Sequence, residues 1–158
     1  MESTALNIDG IFHRKALPHD IDDLLPLYQT LFARENDFIY EANKQRQALR
    51  LLIDGPQSVV FVTVWNNSII AMCNMQTYVS TAAGGYAGII EDVVIDGRFR
   101  GLGIGAELLN ICESFAKARG LKRLHLLMDR NNELGLRFYT GQNWKQTRLT
   151  CLQKLFDE

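Results

Sequence analysis

Proline and cysteine are scarce in this chain, three of each among 158 residues, and neither charge sign is in excess. Cys73, Cys112 and Cys151 are odd in number and widely spaced, which excludes a disulfide scaffold. They predict reduced core thiols in a cytoplasmic protein. His13, His19 and His125 join them at no metal-ligand spacing, so no metal is expected. No apolar run approaches the roughly 18 residues that a bilayer span requires, and no signal peptide precedes the first charged residues. A net charge of −1 argues against a general nucleic-acid binder. With 47% hydrophobic and 22% charged residues, disordered and collagen-like classes are also excluded. The length suits a single domain spanning 1–158.

Charge that nearly cancels in the sum is unevenly placed. Between Asp20 and Glu41, six carboxylates (Asp20, Asp22, Asp23, Glu35, Asp37, Glu41) face Arg34 alone. Between Arg98 and Arg123, six cations face Glu107 and Glu113. An acidic front and a basic middle suit a cationic substrate at one and a polyphosphate at the other. Asp20, Asp22 and Asp23 are read first as complements to a helix N-terminus. Asp37 and Glu41, interleaved with Phe38 and Tyr40, have no such plain explanation.

Periodicity supplies the elements. Ile11 to Leu17 reads as a strand, and Asp20 opens a helix through Leu24, Tyr28 and Phe32, with Pro26 marking a kink or a later start. Asn43 to Asp54 reads as a second helix, stopped by Gly55-Pro56. Ser58 to Trp65 and Ser68 to Val79 form a hairpin about Asn66-Asn67, because Asn tolerates positive φ. Tyr86 to Ile95 continues the meander after Gly84-Gly85. Ile104, Leu108, Ile111, Cys112 and Phe115 make one face of a helix that Gly120 ends. Leu121 to Met128 is a strand, Asn131 to Thr140 a short helix, and Trp144 to Phe156 at least one final strand. Strand, helix and strand around the glycines favour a parallel crossover within an antiparallel sheet.

That glycine stretch carries the chemistry. Gly101, Gly103 and Gly105 alternate just ahead of a helix, where missing side chains let a diphosphate touch backbone N–H groups. Arg98 and Arg100 add positive charge. A P-loop requires Lys-Ser or Lys-Thr after the glycines, and Ala106-Glu107 stands there instead. Gly101-x-Gly103-x-x-Ala106 meets a relaxed dinucleotide fingerprint, but Asp96 to Arg100 separate it from the strand. Only 29 residues follow Asp129, too few for the remaining βα units.

Arg100-Gly101-Leu102-Gly103-Ile104-Gly105 resembles the signature of the GNAT superfamily of acetyl-CoA-dependent N-acetyltransferases: Arg or Gln, two residues, Gly, one residue, then Gly or Ala. A second family element recurs as Asn132, Gly135, Phe138-Tyr139 and Gly141. Where the family usually continues with Gly-Phe, this chain has Gly141-Gln142-Asn143-Trp144. The resemblance spans about Arg14 to Leu155. It implies an α/β fold of the α+β type: one mixed, mostly antiparallel sheet of six to seven strands, helices on both faces, and splayed central parallel strands.

The resemblance further implies that acetyl-CoA lies along the strand end Val93, Val94 and Ile95, with backbone amides of Val93 and Ile95 pairing with pantetheine. N–H groups from Arg100 through Leu102, Ile104 and Ala106 would hold the diphosphate, with Asn132 also on the cofactor. Transfer to an amine needs a base, because a protonated alkyl amine, titrating near about 10, has no lone pair. It also needs a donor to the oxyanion, for which the N–H near Val93 serves, and an acid for the departing thiolate. By its place in the family motif, Tyr139 is the acid. Glu91 is the first candidate base, directly or through water. Asp92 is the other, and strand alternation predicts that only one of the two faces a given pocket. An acidic, aromatic wall of Asp37, Phe38, Tyr40 and Glu41 suits a cationic small-molecule or peptide amine. The resemblance also allows a homodimer through the final strands, which no feature here requires. A non-catalytic acetyl-CoA sensor on the same fold is the alternative, and it would need neither Tyr139 nor a base.

Overall fold

In a computed structural model of the chain, residues 9–34 and 37–156 are described; Glu35, counted above among the acidic residues, lies outside them. The order is β1 (Phe12–Lys15), α1 (Ile21–Phe32), α2 (Ala42–Asp54), β2 (Ser58–Trp65), β3 (Ser68–Ser80), β4 (Gly85–Ile95), α3 (Ile104–Ala118), β5 (Leu124–Leu126) and α4 (Glu133–Gly141). Helix α1 runs through Pro26 without interruption. Asn66 and Asn67 both take positive φ, 47° and 61°, so the β2–β3 hairpin closes on two residues as their chemistry predicts.

The strands form one sheet in the order β1-β2-β3-β4-β5, and the first four are antiparallel. Backbone hydrogen bonds run from Lys122 N to Tyr86 O (2.8 Å) and from Gly88 N to Arg123 O (2.9 Å). Residue numbers rise together on the two sides, so β4 and the β5 segment are parallel. A Cβ on Gly88 would lie 2.6 Å from the Leu124 side chain and 2.9 Å from that of Leu121, so glycine permits this close approach. With three residues, β5 can pair with only part of the eleven-residue β4.

Up to His125 the described residues form one compact unit. Its core follows from strand alternation. Val60, Val62, Val64, Met72 and Val94 pack on one face of the sheet with Ile21, Leu24, Leu25, Tyr28 and Leu49 of α1 and α2. On the other face α3 packs against β2, β3 and β4, with Phe61 edge-on to Phe115 at 5.4 Å between centroids. Each fully buried leucine of these seams contributes about 1.5–3 kcal/mol. Of the cysteines, Cys73 and Cys112 are core residues as expected, whereas Cys151 is exposed.

One ion pair ties β1 to the start of α1. Arg14 Nη1 and Nη2 donate to Asp20 Oδ2 and Oδ1 at 2.6 and 2.8 Å, and Leu17 N donates to Oδ2 at 2.7 Å. Asp20 is 3% exposed, so its charge is needed by the fold rather than offered to a ligand. The Arg14 hydrogen bonds hold its carboxyl below the ordinary 3.8. A depressed pKa stabilises the fold above that ordinary value, and the contribution is lost as pH falls through the folded value. Asp20→Ala is therefore expected to cost about 3 kcal/mol at pH 7 in urea unfolding, since it strands a cation. The gap from wild type should narrow below about pH 4.

From Leu126 the chain forms a second, smaller unit. Its one helix among the described residues is α4, and the final strand expected from Trp144 to Phe156 is not formed there. Among the described residues the sheet thus has five strands, fewer than the six to seven expected, and β5 is shorter than Leu121 to Met128. Leu149, Leu152, Leu155 and Phe156 are all at least 80% exposed. Apolar spacing alone does not make a strand, because a strand needs a neighbour to take up its N–H and C=O groups.

Candidate functional site

The glycine turn is built by two reversals. Asp96 accepts from Arg98 N at 3.0 Å, closing a 3-10 turn at Gly97–Phe99, and buried Phe99 packs edge-on to Trp65. Arg98 is held back on Asp96 by Nε and Nη2 at 3.2 and 2.7 Å. Arg100 turns the other way: its Nε donates to Ile95 O at 3.2 Å, and burial, then nearby Arg34, lower its pKa. Gly101 and Gly103 take φ of +75° and +84°, and a Cβ on either would meet no atom within 4 Å. Gly103 is the N-cap of α3. The first-turn amides of Ile104, Gly105 and Ala106 have no partner within an α-helix. Open space over two glycines, bare amides and a helix dipole fit a diphosphate approaching the backbone.

The strand leading into this turn is bulged. Cys73 pairs with Val93 and Met75 with Ile90, so two β4 residues, Glu91 and Asp92, oppose the single residue Asn74. Gln76 Nε2 donates to Glu91 Oε2 at 3.1 Å, and Asn74 Nδ2 donates to Asp92 Oδ2 at 2.6 Å. Asn74 and Gln76 share a face of β3, so both carboxylates lie on the α1/α2 side. The alternation expected of them fails because the extra residue resets it. Val94 joins the α1/α2 core, and Val93 pairs across from Cys73 on the α3 side.

Tyr28 and Asn74 were not singled out from the sequence as site residues. Tyr28 Oη donates to Asp92 Oδ2 at 3.0 Å, and Asn74 Nδ2 also lies 3.3 Å from Tyr28 Oη. Burial first, and the Asp92 charge second, push the Tyr28 hydroxyl upward, so it stays a donor. Asn74 is fully buried, and its Oδ1 has no hydrogen-bond partner. Such an orphan costs about 1–3 kcal/mol. The sequence signal was available: Asn74, Gln76 and Tyr78 recur with period two in a strand that helices cover on both faces. On the same face Tyr78 Oη lies 3.1 Å from His125 Nδ1, and Arg123 Nη2 donates to Tyr78 Oη at 3.2 Å. Burial, then Arg123, lower the His125 pKa, favouring neutral imidazole.

The expected acceptor residues lie between α1 and α2. Asp37 is exposed, and the half-exposed Phe38 ring rests on Phe32 with centroids 6.0 Å apart. Tyr40 is packed against the core. Glu41 is the N-cap residue of α2: its N donates to Gln45 Oε1 at 2.8 Å, and its carboxylate pairs with Lys44 at 2.9 Å.

In the smaller unit, Asn132 caps α4 by accepting from Gly135 N at 2.8 Å. A Cβ on Gly135 would sit 2.6 Å from Asn132 Nδ2, which accounts for the small residue three positions on. The half-buried Tyr139 ring contacts Phe138 and Trp144, with centroids 5.0 and 6.0 Å away. Asn143, ahead of the aromatic, is left-handed at φ +66°, a conformation that Asn tolerates better than most residues.

A profile of the Acetyltransferase (GNAT) family matches residues 22–143. An uncharacterized N-acetyltransferase of Methanocaldococcus jannaschii is 27% identical over a 131-position alignment that covers 80% of this chain. The chain spans only 57% of that relative's length. The fold matches an aminoglycoside acetyltransferase from an uncultured soil metagenomic sample in complex with sisomicin, with TM-score 0.75 and 17% identity over 92% of this chain and 97% of the other. It also matches a chain described as a predicted acetyltransferase of Clostridium acetobutylicum, solved with acetyl-CoA, with TM-score 0.77 and 21% identity over 91% and 96%.

Proposed function

The chain belongs to the acetyltransferase (GNAT) family, and from that premise we propose that it transfers an acetyl group from acetyl-CoA directly to a primary amine. The observation that carries this reading is the pair of left-handed glycines opening α3, over which a Cβ would meet nothing. Arg100 and the N–H groups from Gly101 to Ala106 hold the diphosphate, and the backbone of Val93 to Ile95 meets the pantetheine amides. An outer β4 edge that a short β5 cannot fully cover supports that role, because an open edge accepts an amide-bearing chain. Acetyl-CoA supplies an activated thioester carbonyl. Val93 N–H donates to its oxygen, Glu91 or Asp92 receives the amine proton, and Tyr139 protonates the departing sulfur. Asn132 keeps its amide nitrogen for the cofactor, its carbonyl being taken by the α4 cap.

The acceptor is a small cationic amine or a peptide amine. Exposed Asp37 and the half-exposed Phe38 ring support this reading, offering charge pairing and cation–π contact. Glu41 contributes less, because Lys44 already engages it. The structural neighbour solved with sisomicin, an aminoglycoside acetyltransferase, is consistent with that choice. A free-thiol assay with acetyl-CoA and a pooled amine panel tests the function. Amine-dependent thiol release is expected. An acetyl-CoA-induced rise in melting temperature with no release for any amine would leave a binding protein without transfer.

A further inference from the structure

We propose that Tyr28 and Asn74 are positioning residues that hold Asp92, rather than Glu91, as the carboxylate receiving the acceptor amine's proton. The inference rests on the acetyl-transfer reading and decides which of two neighbouring carboxylates serves it. Both stand on one face of the bulge, so strand geometry does not choose between them; their surroundings do. Glu91 is exposed and takes one side-chain amide hydrogen bond, from Gln76 on its own sheet. Asp92 is half-buried and takes two donors on a single oxygen, from α1 and from β3. Donors from two elements fix its rotamer, whereas the Glu91 side chain keeps more of its freedom.

The amide orientation of Asn74 follows from chemistry. A carboxylate has no proton to give, so Nδ2 must face Asp92 and Oδ1 must face away. That leaves the buried Oδ1 without a donor, a burden that an apolar side chain of similar size would not carry. Core packing alone would favour such a side chain beside Met72 and opposite Val60. The Tyr28 and Asn74 protons both point at Asp92 and stabilise its charged form, the form able to receive a proton. As the amine lone pair forms the C–N bond, the carbonyl π pair moves to oxygen and the attacking nitrogen becomes acidic. Its N–H bond breaks, the electron pair stays on nitrogen, and the proton passes to the Asp92 carboxylate. The pair on oxygen later returns to break the C–S bond and release the thiolate that Tyr139 protonates.

Among the groups bearing on Asp92 are Tyr28 from α1, Asn74 and Cys73 from β3, and Glu91 beside it on β4. The test is the pH profile of kcat/KM for the full chain, with the amine found in the thiol-release panel. Tyr28→Phe keeps the ring against Phe32 and removes one donor, so the acid limb should move up by about half a pH unit or more. Asn74→Asp sets a second carboxylate against Asp92; the pair then shares a proton and the limb should rise by about one unit or more. KM for acetyl-CoA should stay within about twofold in both, a split that mere loosening of the fold would not give. If Asn74→Asp does not fold, the Tyr28→Phe limb decides. An unmoved limb in active Tyr28→Phe, or a limb that disappears with Glu91→Gln instead, overturns the inference and leaves acetyl transfer standing. A wild type that transfers to no amine overturns both.

Discussion

Gly103→Asn is expected to leave the fold standing and to weaken acetyl-CoA binding by at least about tenfold. Two demands are made on this position, and Asn separates them. The backbone demand is φ +84°, which Asn meets better than other side chains, so stability should fall by about 1 kcal/mol or less. In a chain of this size that lowers Tm by roughly 2–4 °C. The second demand is room. Apart from the adjoining residues, no protein atom lies within 4 Å of the missing Cβ, so loss of binding in a folded variant points to a ligand on the backbone. Gly120→Asn is the control. Gly120 also has positive φ, +73°, and open space, but ends α3 rather than beginning it. It should lower Tm by a similar amount and leave acetyl-CoA affinity alone. Calorimetric titration of the two variants checks this, and equal affinity in both would reduce the glycines to a turn.

Tyr139→Phe should lower kcat by about a hundredfold or more while acetyl-CoA affinity stays within about twofold. A phenol near pKa 10 is protonated at neutral pH and can give that proton to a departing thiolate, a contribution typically of 10²–10⁴. The ring contacts with Phe138 and Trp144 survive the substitution, so packing in α4 should too. Steady-state kinetics with a melting curve separates the cases. A matching fall in kcat and Tm would make Tyr139 a packing residue. An acetyl-CoA sensor would lose nothing.

The parts of the fold that are set locally were legible in the sequence. Asn66-Asn67 specified its hairpin through backbone chemistry alone, and the alternating glycines ahead of Ile104 specified a helix start with bare amides. What depended on a distant neighbour was not legible. The segment from Trp144 to Phe156 has strand-like apolar residues, yet it joins no ladder among the described residues. Glu91 and Asp92 share a face only because Asn74, far away in sequence, has two residues opposite it. Tyr28 sat within the apolar stripe of its helix, so its hydroxyl gave no sign of its partner until β3 and β4 were placed beneath it. Asp20 does stand at the helix N-terminus, as the N-cap residue of α1, but its carboxylate caps no α1 amide. It is engaged by Leu17 N and by Arg14, a partner its local sequence does not reveal.

The bulge has a further consequence, visible by counting parity. Ahead of it, odd-numbered residues of β4 face α1 and α2; beyond it, even-numbered ones do, with Val94 opposite Met72. Excising Asp92 alone would restore a plain alternation and still leave Ile90, Val93 and Val94 on the sides they now occupy. The inside and outside of the protein therefore do not need the additional residue; the sheet could be written one letter shorter. A chain that carries it nonetheless has a place where selection on activity can be read separately from selection on folding. Deletion of that one codon is the edit that would part them.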